Sequence, residues 1–455
     1  MKSKLTEELT LFASVTKWAF YATVVGILVG SGTAIFLWCL NHTSAVFSSF
    51  PNYVYFLPLT LLVSTMIVRW LAPDAAGHGT EKVIEAVHQR MGKIALKVVP
   101  VKLVATVITL ASGGSAGKEG PCAQIGAGLA SGFADLLRLE DVDRRKLVIC
   151  GISAGFASVF GTPIAGALFG IEVLVLGQMM YEVLFPSFVA GIVGYHVAAS
   201  LGVIYPPQSA CFLPKLTEWS LFEMLLLGIW CGLVALLLIE VMKLTHHLFS
   251  RLRCHYAFKA ILGGLLLILI GLFVSDSYLG LGLDTIASGL KGNPLPAGAF
   301  AWKSIATAIT LGCGGSGGVV TPIFFIGTAA GNIFAQLFHE PFIAAFSAIG
   351  MAAVLAGAAN TPIAASIMAM ELFGPAIAPY AAVACMVSFL ISGYRSIYPS
   401  QLLGIQKSAS LTAPTGVPVG ELRHAKLTPR EHTLMGTARD IYRSLRNHRQ
   451  GKKNG

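Results

Sequence analysis

Charge is what this chain has least of: only 12% of its 455 residues are Asp, Glu, Lys or Arg, about half the share of an ordinary soluble domain. Apolar residues make up 55% and the mean hydropathy is +0.72, so the expected class is an all-α polytopic membrane protein. The opening MKSKLTEELT has no n-region, h-region or cleavage site, and entry into the membrane through the first helix, without a removed signal peptide, is expected. Eight cysteines are scattered without CxxC spacing, which indicates neither a disulfide framework nor a metal site. Intramembrane enzymology lacks its residues too: His339-Glu340 has no second histidine at metalloprotease spacing. No catalytic constellation and no cofactor fingerprint is present, so a non-enzyme without cofactor is expected. Nucleic acid is not an expected partner either, because the basic residues are not interleaved with stacking aromatics.

What the chain does have is a block that occurs twice. Lys102 to Leu137 reads KLVATVITLASGGSAGKEGPCAQIGAGLASGFADLL, and Lys303 to Phe338 reads KSIATAITLGCGGSGGVVTPIFFIGTAAGNIFAQLF; 16 of the 36 positions are identical. A second echo follows: Thr162-Pro163-Ile164-Ala165 with Glu172, then Thr361-Pro362-Ile363-Ala364 with Glu371. Hydrophobic segments interrupted by Gly and Pro at matching places in two halves point to a transporter's ion site. A cation-coupled carrier also uses broken helices, but it needs acidic or polar side chains clustered at the breaks. This chain offers glycine amides, Lys118 and one carboxylate.

The expected layout is a cytoplasmic N-terminal segment, 1–16, forming a short amphipathic helix, then a first membrane repeat over 17–204. A polar linker, 205–218, carries Pro206 and Pro207; a second membrane repeat covers 219–404. A basic tail, 405–455, holds ten Lys/Arg against three acids, which reads as cytoplasmic; contact with anionic lipid is the other reading. Several apolar pieces are shorter than the roughly 20 residues a crossing needs. Their unpaired backbone ends must be buried in protein or line a cavity, so mid-membrane helix ends are expected to meet. A last short element is expected to begin at Arg395.

The first break, Gly117-Lys118-Glu119-Gly120-Pro121, carries the chemistry. Glycines permit a tight turn and Pro121 suits the first turn of a new helix. The free N–H groups there form a ready anion site. A carboxylate at the same helix start, Glu119, can occupy that site and leave when protonated or displaced, which makes it a gate. The plainer reading is that Glu119 caps its helix or pairs with Lys118. A phosphate-binding P-loop is excluded, because Ser112 replaces its first glycine and Glu119 its magnesium-binding hydroxyl. Glu172 and Glu371 are read as hydrogen bonding to neighbouring helix ends, since a lone charge in a membrane costs at least about 2.5 kcal/mol.

These ordered motifs resemble the CLC family of chloride channels and anion–proton antiporters along roughly residues 15–405. The family's G-[KR]-E-G-P is Gly117 to Pro121, which implies that Glu119 is the gating glutamate, with Gly117 and Lys118 beside the anion. Its G-x-F-x-P is Gly318 to Pro322, implying that the amides of Val319 and Val320 hold the central anion. Its late tyrosine is Tyr398, whose phenol would donate to the ion; the plainer reading is an interfacial tyrosine. The resemblance also implies inverted halves, a homodimer with one pathway per subunit, and residence in the cell (inner) membrane as a voltage-gated chloride channel or weakly coupled transporter. The regulatory C-terminal modules of longer family members are not expected.

Three departures bear on the mode of transport. The family's serine motif aligns with Gly77-His78-Gly79-Thr80-Glu81, so His78 takes the serine's slot, either donating to the anion or facing the cytoplasm as a solvated loop residue. The phenylalanine of the second motif is Val320. The antiporters' inner proton-relay glutamate falls on Val173, which carries no proton and implies weak coupling for chloride. Some fluoride–proton antiporters of the family share such departures. Chloride through a glutamate-gated pathway is the expectation, and fluoride–proton antiport the alternative.

Overall fold

The computed structural model describes residues 2–205, 213–338, 341–422 and 426–427. Pro206 and Pro207 of the linker, His339-Glu340 and most of the basic tail lie outside the described residues. Helix dominates. The first eight helices are α1 (Lys2–Ser48), α2 (Leu57–Leu71), α3 (Thr80–Gln89), α4 (Val98–Ala111), α5 (Glu119–Leu136), α6 (Asp141–Phe160), α7 (Pro163–Glu172) and α8 (Tyr181–Ser200). They are followed by α9 (Glu218–Arg251), α10 (Tyr256–Phe273), α11 (Leu283–Leu290), α12 (Ala299–Gly312), α13 (Val320–Leu337), α14 (Ile343–Ala359), α15 (Pro362–Phe373) and α16 (Ala378–Ile391).

The second eight repeat the packing of the first. α1 lies on α8 as α9 lies on α16, and α5 on α6 as α13 on α14. The same small residues allow it: Gly26 and Gly30 face α8, while Gly228 and Gly232 face α16. A side chain at either pair would collide with the opposing backbone or a valine or isoleucine there, the close approach expected of glycines spaced four apart in membrane helices.

The breaks in the helices have local causes. α6 ends on Gly161 at φ 72° and α14 on Asn360 at φ 56°, both left-handed. Thr162-Pro163 and Thr361-Pro362 then start the next helix, because proline disfavours helical backbone before it and suits a helix's first turn. Glu172 at the end of α7 accepts from the Ile363 and Ala364 amides at the start of α15. Glu371 of α15 accepts from the Ile164 and Ala165 amides at the start of α7. Each half's glutamate thus caps the other half's helix, where carboxylate charge is favoured.

Two sequence expectations change. The N-terminal segment is no separate amphipathic helix: residues 2–48 form one helix of 47 residues, about 70 Å long, because no glycine or proline interrupts it before Gly26. The segment expected as a short element from Arg395 is not helical. Its amides go elsewhere, Ile397 N to the Ala358 carbonyl and Ser400 N to Glu81. It leads into a parallel strand pair, β1 (Val175–Leu176) with β2 (Leu402–Leu403), which clamps the chain after α16 against the end of α7.

Candidate functional site

At the centre the two copies of the repeat meet head to head. Gly117 and Gly318 form an antiparallel bridge, with Gly117 N–H to the Gly318 carbonyl at 2.8 Å and Gly318 N–H to the Gly117 carbonyl at 2.6 Å. Reciprocal bonds flank it: Ser115 N to Thr310 Oγ1 at 3.1 Å and Ser316 N to Thr109 Oγ1 at 3.2 Å. A methyl group on Gly117 or Gly318 would overlap the Glu119 carboxylate, and one on Gly79 the Gly120 carbonyl. The glycines therefore let the starts of α3, α5 and α13 converge.

Glu119 is fully buried there. Its Oε1 accepts from Val320 N–H and its Oε2 from Thr321 Oγ1–H, each at 2.5 Å. The sequence placed this carboxylate at the amides of its own helix start; the structure sends it across the pseudo-twofold interface, to the start of α13. The reason is geometric: Glu119 is itself the first residue of α5, while the Gly117–Gly318 bridge sets the open end of α13 within reach. Neither Glu119 oxygen pairs with Lys118, which is half-buried and has no ion-pair partner among the described residues. Gly117 differs from the expected anion donor: its N–H is spent on Gly318, so what it contributes is space. Val319 and Val320 are buried at the start of α13, and the Val320 amide is taken by the Glu119 carboxylate itself.

His78 and Tyr398 come together on the other side of this junction. Their rings lie 5.8 Å apart at 50°. Tyr398 is fully buried, which removes the interfacial reading. Thr80 stands beside its phenol, yet the enclosed oxygen makes no hydrogen bond of ordinary geometry, and His78 Nδ1 is likewise enclosed and unpartnered. Buried polar groups normally find partners, and here two such atoms stand on neighbouring rings. His78 as a whole is half-buried, with Nδ1 the enclosed atom. Its loop lies outside the membrane-spanning helices, and burial, with the Lys102 ammonium second, holds its imidazole well below the ordinary histidine value.

Lys102 and Lys303, which head the two repeat copies, were not singled out in the sequence. Both are completely buried. Lys102 Nζ donates to the Ala75 and Gly77 carbonyls at 3.2 and 2.6 Å, and Lys303 Nζ to Tyr278 and Gly280 at 3.1 and 2.7 Å. The signal was available, a lysine held at the same place in two apolar runs. Thr321 was also missed, although a hydroxyl in the first turn of α13 is placed to bind what the amides bind. Val173 is buried, and its carbonyl accepts from Gln401 Nε2. No cluster of metal-ligating side chains occurs among the described residues.

Comparison with known proteins bears on this geometry. The family model described as voltage gated chloride channel matches residues 59–393. A "Chloride/fluoride channel protein" of Pseudomonas syringae pv. tomato is 37% identical over 415 residues, covering 89% of this chain and 91% of the relative. The "Voltage-gated ClC-type chloride channel ClcB" of Shigella flexneri is 31% identical over 307 residues, covering 64% and 72%. Among solved structures, one titled as a CLC-type fluoride/proton antiporter aligns with a TM-score of 0.79 at 30% identity, over 85% of this chain and 98% of that one.

Proposed function

The chain belongs to the voltage gated chloride channel family, and from that premise we propose that it moves fluoride, and chloride less readily, through a pathway gated by Glu119. The single observation that carries the gate is the Glu119 carboxylate seated on Val320 N–H and Thr321 Oγ1–H at the start of α13. An anion competing for that helix start must displace the carboxylate, and a proton releases it by removing its charge. One side chain thereby links proton and anion movement. Fluoride is favoured by the printed names of two similar proteins. His78 in place of a serine hydroxyl suits a small, strongly hydrogen-bonding anion held by a neutral N–H. Val320, Tyr398 and His78 would then line the anion's path, with Lys102 supplying positive charge behind it.

The assembly that goes with this reading is a pair of copies in the cell (inner) membrane, each with its own pathway. The deciding experiment is flux from liposomes holding the purified protein, with fluoride- and chloride-selective electrodes under crossed anion and pH gradients. Fluoride flux above chloride flux, abolished in its pH dependence by Glu119→Gln, is the expected result. Chloride flux exceeding fluoride flux would return the reading to a chloride pathway.

A further inference from the structure

A proton that reaches Glu119 from the cytoplasm needs a carrier on that side. Lys17, Arg90, Lys93, Arg138 and Arg144–Lys146 mark the cytoplasmic face by the positive-inside rule. Lys17 pairs with Asp143 and Lys146 with Glu182 there, which ties the ends of α1, α6 and α8 to one surface. Slot 173 cannot serve, and neither can Glu172 or Glu371, because both oxygens of each hold helix-start amides.

Glu81 is different. It is half-buried at the start of α3, three residues after His78, and its Oε1 accepts from Ser400 N–H and Ser400 Oγ–H at 2.9 and 2.5 Å. Its Oε2 is enclosed and has no partner, the only carboxylate oxygen in that state among the described residues. Ser400 is two residues beyond Tyr398, so Glu81 sits where the two segments carrying His78 and Tyr398 join. The Tyr398 phenol lies within electrostatic range of both Glu119 and Glu81. The other titratable or charged groups facing this corner are Lys82 and Glu85, which pair with each other at 2.8 Å, and Lys102 with His246 beyond His78. Burial raises the Glu81 carboxyl above its usual range, opposed by the Ser400 bonds and Lys82.

We propose that Glu81 is the carboxylate through which cytoplasmic protons reach Glu119. An acid at the inner mouth gives its proton to Glu81 Oε2, which becomes neutral. The proton then moves by way of His78 and Tyr398 to the Glu119 carboxylate, which leaves Val320 and Thr321, and Glu81 is ionised again. The proposal rests on the reading of Glu119 as the gate.

The test uses the full chain in liposomes, with fluoride and proton fluxes in both directions recorded together while internal and external pH are varied separately. Glu81→Gln keeps the acceptor for Ser400 but cannot be protonated in this range. Its proton release on internal acidification should fall by on the order of 10²-fold, the usual contribution of a positioned proton carrier, while its response to external pH persists. Glu81→Asp should retain the internal response. Ser400→Ala removes a bond that favours the ionised form, so the midpoint of the internal-pH response should move to higher pH. A wild-type internal response in Glu81→Gln, or an unmoved midpoint in Ser400→Ala, overturns the proposal and leaves Glu81 as a strut for Tyr398. Glu119→Gln separates the two readings. If it keeps its pH dependence, the gate reading fails and this one with it; if it loses it while Glu81→Gln does not, only the role of Glu81 fails.

Discussion

Glu119→Gln preserves shape and removes charge, so it isolates what the carboxylate's charge does at the start of α13. The bonds from Val320 N–H and Thr321 Oγ1–H are both charge-assisted, and such bonds exceed neutral ones by about 1 kcal/mol each. The positive end of α13 adds about 1 kcal/mol for a negative group in its first turn. Together these make the glutamine's hold weaker by about 3 kcal/mol, which is roughly a 100-fold shift towards the released gate. One amide face also turns an NH2 towards a donor, so only one of the two bonds survives in its present sense. Anion efflux measured from pH 8 to pH 5 should therefore be high and flat in the variant, where the wild type rises as pH falls, and proton uptake should disappear. Thr321→Val removes one of the two bonds and should raise neutral-pH flux by about tenfold, the factor that about 1.4 kcal/mol represents. Efflux in Glu119→Gln that still climbs with acid would refute the argument, because no charge would then be left to neutralise at this position.

Three further outcomes follow from the same geometry. Lys102→Met should weaken anion affinity several-fold by calorimetry, whereas Lys303→Met, whose loop carries no His78, should lower thermal stability without that affinity loss; equal affinity losses in both would remove Lys102 from the site. Burial, with Lys102 second, lowers the His78 imidazole below its ordinary value, so anion affinity should show no strengthening between pH 8 and 5 that His78→Ser abolishes. His78→Ala should bind more weakly at every pH by roughly the 1 kcal/mol of one donor, and an acid-side gain unique to the wild type would show the ring charging after all. Glu172→Gln should lower the melting temperature, by loss of about 1–2 kcal/mol of capping at α15, and leave the proton-to-anion ratio as in wild type; an altered ratio would make Glu172 part of the proton route.

The duplicated block was legible because it is written in residues that only backbone geometry explains, and Gly117 with Gly318 do form the central bridge. The reciprocal role read for Glu172 and Glu371, bonding to neighbouring helix ends, also matches what these side chains do. The two Thr-Pro steps were legible as helix starts, since proline acts within a few residues; the left-handed ends at Gly161 and Asn360 came from the structure. The error at the N-terminus was of the opposite kind: charge pattern suggested a separate helix, but helix stops only where something stops it.

What the sequence determined by itself was therefore the class, the twofold build, and the broken segment that carries Glu119, all fixed by composition and by local backbone rules. It could not show that Glu119 answers to α13 rather than α5, because that depends on how two segments 201 residues apart are brought together. Nor could it place His78 Nδ1 beside Tyr398, or single out Glu81, whose Oε1 is held by Ser400, 319 residues away, while its Oε2 has no partner. Those facts belong to the tertiary structure, since a side chain's partner and its exposure are set by contacts that leave no local pattern in the chain.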